Sequence, residues 1–265
     1  MAKTQRELAF LRDLYINDDW TRRFTELADK HLDMGDAENL LYLNAGTGNH
    51  CFEIKEKAGD ELAIFAACED EDLLAIAQDK ALALKTDVDI SMMRFDDNAF
   101  DAVIADASLV RPRNLADLID DTARAAKTGA SVMVMVPTAG SFGEIFSLIW
   151  EVLLKEDMGE HGAAVEGLIA ELPTAARLEE LAETAGLVNI KTETANEVFE
   201  YDDGEAFIAS PLVVDFLMPE WLSSLTDGEK ELVTKKLAEL IDKEDGKLTF
   251  RFSVKATVLK GEKAH

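Results

Sequence analysis

From residue 40 onward, short apolar runs alternate with amphipathic stretches, and this rhythm constrains the fold more than any other feature of the chain. Residues 40–43 read as a strand, 52–57 as a short helix and 62–68 as a strand. Residues 70–84 read as a helix with Leu73, Leu74, Ala77 and Ala81 inward. Strands over 88–92, 102–105 and 131–136 follow, with a helix over 115–126 between the last two. Such alternation specifies a parallel sheet with helices on both faces. The runs 102–104 and 132–136 are apolar at every position, as central strands covered on both sides must be. Right-handed crossovers then give a doubly wound α/β sheet.

The flanks follow other patterns. Residues 4–33 read as one or two amphipathic helices with Leu8, Leu11, Leu14 and Tyr15 on one face, and Asp18-Asp19 as a break or cap of a second helix carrying Trp20, Phe24, Leu27 and Leu32. Residues 141–155 form a bulky apolar helix, followed by a Gly-containing acidic stretch at 157–162 and a helix over 175–185. Residues 204–242 are helical, with Pro211 and Pro219 as breaks. Strands at 188–194 and 248–259 pair antiparallel at the end of the sheet, the second placing Phe250, Phe252, Val254, Ala256 and Val258 on one face. No linker divides the chain. The expected organisation is a single domain over 1–265, with a helical cap (1–35), a ligand-binding half (36–137) and a substrate-side half (138–265).

Charge narrows the partners. With 53 acids against 27 bases the formal net charge is −26, which disfavours nucleic acid and anionic membrane surfaces. Arg22-Arg23 and Lys235-Lys236 are isolated pairs, read as solvated helix faces. No stretch approaches a membrane span, and the first twelve residues hold no signal-peptide core. Cys51 and Cys68 are too few for a disulfide framework, and no metal-ligand spacing is present. A cytoplasmic protein with a small-molecule substrate is the expectation; the sequence says nothing about oligomeric state.

The chemistry centres on Leu41-Tyr42-Leu43-Asn44-Ala45-Gly46-Thr47-Gly48, a strand running into a glycine loop and then a helix. Glycines let a ligand approach the backbone closely, and the helix start offers free N–H groups. Glu69, with Asp70 beside it, follows the next strand, where a carboxylate can accept from ribose hydroxyls. The run Glu69-Asp70-Glu71-Asp72 equally suits a helix cap. Asp89, read as lying past the third strand, can accept from an adenine amine.

These residues resemble class I S-adenosylmethionine-dependent methyltransferases, particularly the small-molecule branch. Residues 44–48 match the family's glycine motif from its third position on. Asp89 followed by Phe95-Asp96-Asp97-Asn98-Ala99-Phe100-Asp101 looks like the adenine-contacting acid and the signature after it. Arg124-Ala125-Ala126-Lys127-Thr128-Gly129-Ala130 looks like the turn before the fifth strand. The resemblance implies a mostly parallel seven-stranded sheet with the last strand reversed, and S-adenosylmethionine as cofactor. It places Asn44, Ala45, Gly46 and Gly48 along the methionine half and Glu69 at the ribose. Asp89 and Ile90 would flank adenine, and Ala105 and Asp106 border the methyl donor. Tyr15 and Trp20 resemble a segment that folds over the cofactor in several members.

The implied activity is methyl transfer to a small molecule. Two departures keep a second reading open, a methyltransferase-like binding or regulatory protein without turnover. Tyr42 stands where the family has an acid, and Asn44 where it has a glycine. Asparagine tolerates positive φ better than other non-glycine residues. Without a gap, Cys68 would fall at the ribose position, but a thiol is a poor bidentate acceptor, so Glu69 is preferred. A nicotinamide-binding loop would need a third glycine where Cys51 stands. His50 reads as a surface histidine at a helix start and His161 as a solvated loop residue. Asp106 and Ser108 are the better-placed polar candidates. Phe142, Phe146, Trp150, Met158, Phe207, Phe216, Met218 and Trp221 read as core sooner than as an acceptor pocket.

Overall fold

A computed structural model describes residues 3–245 and 249–264. Helix α1 (Gln5–Leu11) runs through a π-helical segment (Arg12–Thr21) into α2 (Arg22–His31). Then come β1 (Asn39–Leu43), α3 (Asn49–Ala58), β2 (Ala63–Ala67), α4 (Glu71–Leu84) and β3 (Asp89–Ser91). These lead to β4 (Phe100–Asp106), α5 (Leu115–Ala125) and β5 (Ala126–Thr138). Beyond them lie α6 (Gly143–Lys155), α7 (Gly162–Glu171), α8 (Ala175–Thr184) and β6 (Leu187–Tyr201). The last elements are α9 (Gly204–Ala209), a π-helical turn (Leu212–Leu217), α10 (Met218–Trp221), α11 (Asp227–Asp245) and β7 (Phe250–Lys263). Among the described residues no helix is long and apolar enough to cross a membrane. The predicted strand start at Leu248 lies outside the described residues.

The chain groups into two compact units. The first (1–136, 175–194 and 256–265) contains the sheet, with strand order β3-β2-β1-β4-β5-β7-β6. Strands β1 to β5 pair parallel, and β4 lies against β1 in register Leu43↔Ala105. The β6–β7 pair is antiparallel: Asn189 bonds Glu262, while Thr194, further along, bonds Thr257, further back. This is the doubly wound, mostly parallel seven-stranded α/β sheet that the apolar rhythm predicts. Every residue of β4 from Ala102 to Asp106 is buried, and its core joins β1, β4 and β5 to α5 and α8 through Ile119, Val132, Val134 and Leu178. The strand order reverses between β1 and β4, which opens a crevice at their carboxyl ends.

The N-terminal helix departs from its predicted form. Asp18-Asp19 does not break it, because Arg22 pairs with Asp18 at 2.7 Å and Arg23 donates to the Asp19 carbonyl at 3.0 Å across the turn. The wider π turn moves the buried stripe to Ala9, Ile16, Trp20 and Phe24, leaving Leu14 and Tyr15 exposed.

In the second unit (137–174 and 195–255), Phe142, Phe146, Phe207, Met218 and Trp221 are all buried, and Trp150 and Phe216 half-buried. Phe199 stacks on Phe252 at 4.9 Å, and Phe142 packs on Trp221 at 5.2 Å. These aromatics form the unit's core. Pro219 does not break the helical region; it sits in the first turn of α10, where its missing N–H costs nothing. The acidic stretch at 157–162 leads into α7, whose Gly162 lies against the Trp150 ring with no room for a side chain. At the start of α9, Gly204 N–H donates to Asp242 at 2.7 Å, and a Cβ there would sit 2.3 Å from the Ala238 carbonyl oxygen.

That contact is with backbone and cannot relax by a rotamer change. Gly204→Ala is therefore expected to destabilise the protein by roughly 1–3 kcal/mol. Gly228→Ala, on α11 with open space around it, should leave stability unchanged or raise it by about 0.5–1 kcal/mol. Urea unfolding of the two variants checks the contrast.

Candidate functional site at the carboxyl ends of β1, β2 and β4

The loop after β1 takes its shape from three left-handed residues, Asn44 (φ 56), Gly46 (φ 57) and Gly48 (φ 81). Asn44 adds a contact that glycine could not supply, its Nδ2 donating to the Asp106 carbonyl at 3.1 Å across the switch point. Ala45 N–H donates to the Ala67 carbonyl at 2.9 Å and ties the loop to the end of β2. Gly48 is required by the protein's own packing as well, because a Cβ there would meet the Phe52 ring at 2.8 Å.

Glu69 faces this loop. Its Oε2 accepts from Gly46 N–H at 3.0 Å, and its Oε1 pairs with Arg12 Nη2 at 2.6 Å. The Arg12 guanidinium lies 3.2 Å from where a Cβ on Gly46 would be, so it fills the face that the glycine leaves open. The next residue, Asp13, accepts from Thr47 Oγ1 at 2.6 Å and pairs with Lys80 at 2.5 Å. Lys80 also bonds Asn49. The π-helical segment thus grips the loop through two consecutive side chains.

Asp106 ends β4, buried beside Ala105. Burial raises its carboxyl above the usual range, against the opposing pull of the Arg12 charge and of Ser108. Ser108 N–H donates to Asp106 Oδ1 at 2.8 Å. Asp70 spends its carboxylate as the N-cap of α4, accepting from Leu73 N–H at 2.9 Å. Cys68 is buried, and its thiol is pushed up to about 12 by that burial.

Other predicted residues fall elsewhere. Asp89 opens β3 instead of following it, level with Phe65 in the middle of β2. Ser91, two residues on, is level with Ala67 at the carboxyl end, so exposed Asp89 sits about 7 Å back along the strand. The strand falls within the predicted 88–92, which already contains Asp89, so the residue lies inside β3 and not beyond it. Ile90 is buried, and its carbonyl accepts from Gln78. Tyr15 is 46% exposed, and Arg12 and Asp13 contact the loop in its stead. Trp20 is buried against Phe24 at 5.1 Å. In the second unit His161 lies 3.8 Å from Glu229.

His50 is not a surface residue. It is buried, with Nδ1 2.9 Å from the Tyr42 hydroxyl and Nε2 3.1 Å from Asp29. A neutral ring protonated at Nε2 satisfies both contacts, accepting from Tyr42 and donating to Asp29. Lys57 closes the chain on Asp29 at 2.5 Å. Hydrogen bonding to His50 and Lys57 holds the Asp29 carboxyl down at about 2. Burial keeps the Tyr42 phenol well above its ordinary range, hence neutral. No sequence pattern joins these residues, because α2, β1 and α3 meet only in the fold.

The comparisons agree with this architecture. No family model matches the chain, and no curated protein does. Solved structures match along nearly its whole length. The YcgJ protein of Bacillus subtilis superposes with a TM-score of 0.60 at 11% identity, over 92% of this chain and 99% of that one. Phosphoethanolamine N-methyltransferase 2 of Haemonchus contortus, in complex with phosphomonomethylethanolamine and S-adenosylhomocysteine, gives 0.56 at 13% identity. That match covers 99% of this chain and 59% of the enzyme. SpnF, a [4+2]-cyclase, gives 0.53 at 16% identity over 100% and 97%. The chain has the Rossmann-like fold of these methyltransferase structures.

The Asp29 carboxyl, lowered in the folded state from an ordinary 3.8, contributes stability above pH 4 that is lost as the pH falls towards 2. Asp29→Asn is expected to cost roughly 1–3 kcal/mol at pH 7 by weakening its bonds to buried His50 and Lys57. The gap between wild type and variant should close between pH 4 and 2, as denaturant titrations across that range would show.

Proposed function

We propose that this protein is an S-adenosylmethionine-dependent methyltransferase acting on a small-molecule acceptor by direct methyl transfer. One observation carries the reading: Gly46 N–H, the Glu69 carboxylate and Asp106 meet at the switch point between β1 and β4. The cradle suits a nucleoside cofactor. Gly46 presents a face without a side chain, and the group now filling it, the Arg12 guanidinium, is a polar cation on a movable stem. In this reading Asn44, Ala45, Gly46 and Gly48 line the methionine half of the cofactor, Glu69 takes the ribose hydroxyls, and Ala105 and Asp106 border the methyl group. The S-adenosylhomocysteine held by the Haemonchus enzyme supports the cofactor class.

When bound, the cofactor supplies an electrophilic methyl on a sulfonium. The protein's share is alignment and exclusion of water. An acceptor that arrives protonated needs a base, and Asp106, raised by burial, is the carboxyl at the end of β4. The net charge of −26 favours a neutral or cationic acceptor over a phosphate polymer. Asp89, at the amino end of β3, carries no part of the reading.

A second reading, a fold-retaining protein without turnover, draws on the Arg12–Glu69 pair and on Tyr42 in place of an acid. SpnF, with the same fold and cyclase activity, fits the general point that fold does not dictate chemistry.

Calorimetry with S-adenosylmethionine and S-adenosylhomocysteine tests the pocket. Binding tighter than about millimolar is expected, weakened roughly tenfold or more by Glu69→Ala and changed less than about twofold by Asp89→Asn. Absence of binding in wild type and in Arg12→Gln alike overturns the reading.

A further inference from the structure

Both oxygens of Glu69 are engaged: one accepts from the loop's backbone N–H and the other pairs with a guanidinium. Arg12 is largely buried there, with its side chain 15% exposed, and it rests on the glycine face that a ligand would need. Its charge also acts on Asp106 and Asp70, the other acids around the loop. It is delivered by a π-helical segment, a widened backbone common at functional sites, and anchored through Asp13 to Thr47 and Lys80.

We propose that Arg12 is an internal occupant of the nucleoside pocket, competing with the ribose of the ligand for Glu69, so that filling the pocket requires the Arg12–Asp13 segment to leave the loop. This rests on the nucleoside-pocket reading above. A guanidinium and a ribose cannot occupy the same glycine face together, and each draws on the Glu69 carboxylate from that face. Affinity is therefore reduced by the free energy of the resident contact, and binding is coupled to the N-terminal helix. Asp13 shares the coupling without touching Glu69.

Adenosine is the discriminating probe, because it has the ribose and lacks the methionine carboxylate that an arginine can grip. Arg12→Gln is expected to bind both adenosine and S-adenosylmethionine about tenfold or more tightly than wild type does. Asp13→Asn, which loosens the anchor and leaves Arg12 and Glu69 intact, should tighten both about threefold. Hydrogen exchange in wild type should speed up across residues 5–21 when ligand is added. Wild type that does not bind, beside Arg12→Gln that does, also supports the proposal. Weaker binding of S-adenosylmethionine by Arg12→Gln with adenosine unchanged overturns it, since Arg12 would then be a ligand contact. Equal affinities in all three proteins, or exchange unchanged by ligand, overturn it and leave the pocket reading standing. No binding by any of them overturns both. Thermal melts confirm that each variant is folded.

Discussion

The Glu69 carboxylate joins three parts of the first unit that the chain keeps far apart. It follows β2, receives the loop after β1 through Gly46, and receives the N-terminal helix through Arg12. A carboxylate this enclosed, with its side chain 26% exposed, needs partners for both oxygens. The loop can offer only one N–H from a glycine with positive φ. The second partner has to come from elsewhere, and the π-helical widening brings it within reach. The shape of the loop, the seat of the N-terminal helix and the charge balance at the β4 end all follow from that requirement.

The same charge balance accounts for Tyr42. An acid at that position would add a buried negative group beside Asp106, whose carboxyl is already raised by burial and, to a lesser degree, by the Glu69 charge. Tyr42 is neutral, and its hydroxyl passes the interaction outward through His50 to Asp29, where Lys57 meets the charge. The carboxylate is in effect relocated to the rim of the unit. Its polar chain stays satisfied at each step, which is what makes burying a tyrosine hydroxyl and a histidine tolerable.

The sheet was legible in the sequence because hydrophobic period is a local property: 102–104 and 132–136 are apolar throughout, and 250–258 alternate. Glu69, preferred over Cys68 on acceptor chemistry, does face the loop. What stayed illegible depends on partners distant in sequence or on a backbone form with no composition signal. A π turn leaves no mark on a helical pattern, so Leu14 and Tyr15 read as one apolar face when Ile16 is the buried residue, whereas Trp20 and Phe24 are buried as their spacing suggests. The period located the third strand to within a residue at each end, but the adenine role given to Asp89 put it past a strand that contains it. Arg12 carries no motif. Its role exists only because Glu69 and Gly46 arrive beside it.

Whether a self-occupied pocket is still a working pocket is a question of magnitude. A partly buried ion pair gains Coulomb energy and gives much of it back in desolvation, so its net worth is far below its contact energy. A charged hydrogen bond in such a place contributes about 1.5–3 kcal/mol net. A ligand held at micromolar affinity has about 8 kcal/mol of binding free energy. The resident contact therefore weakens apparent affinity by roughly tenfold to a hundredfold without closing the site to a nucleoside. Retirement of the pocket would need a larger loss, such as a side chain at position 46 or removal of Glu69, and the chain keeps both the glycine and the acid. Under the proposed nucleoside-pocket reading, the Arg12–Glu69 pair sets the threshold of the site and is not the mark of an abandoned one.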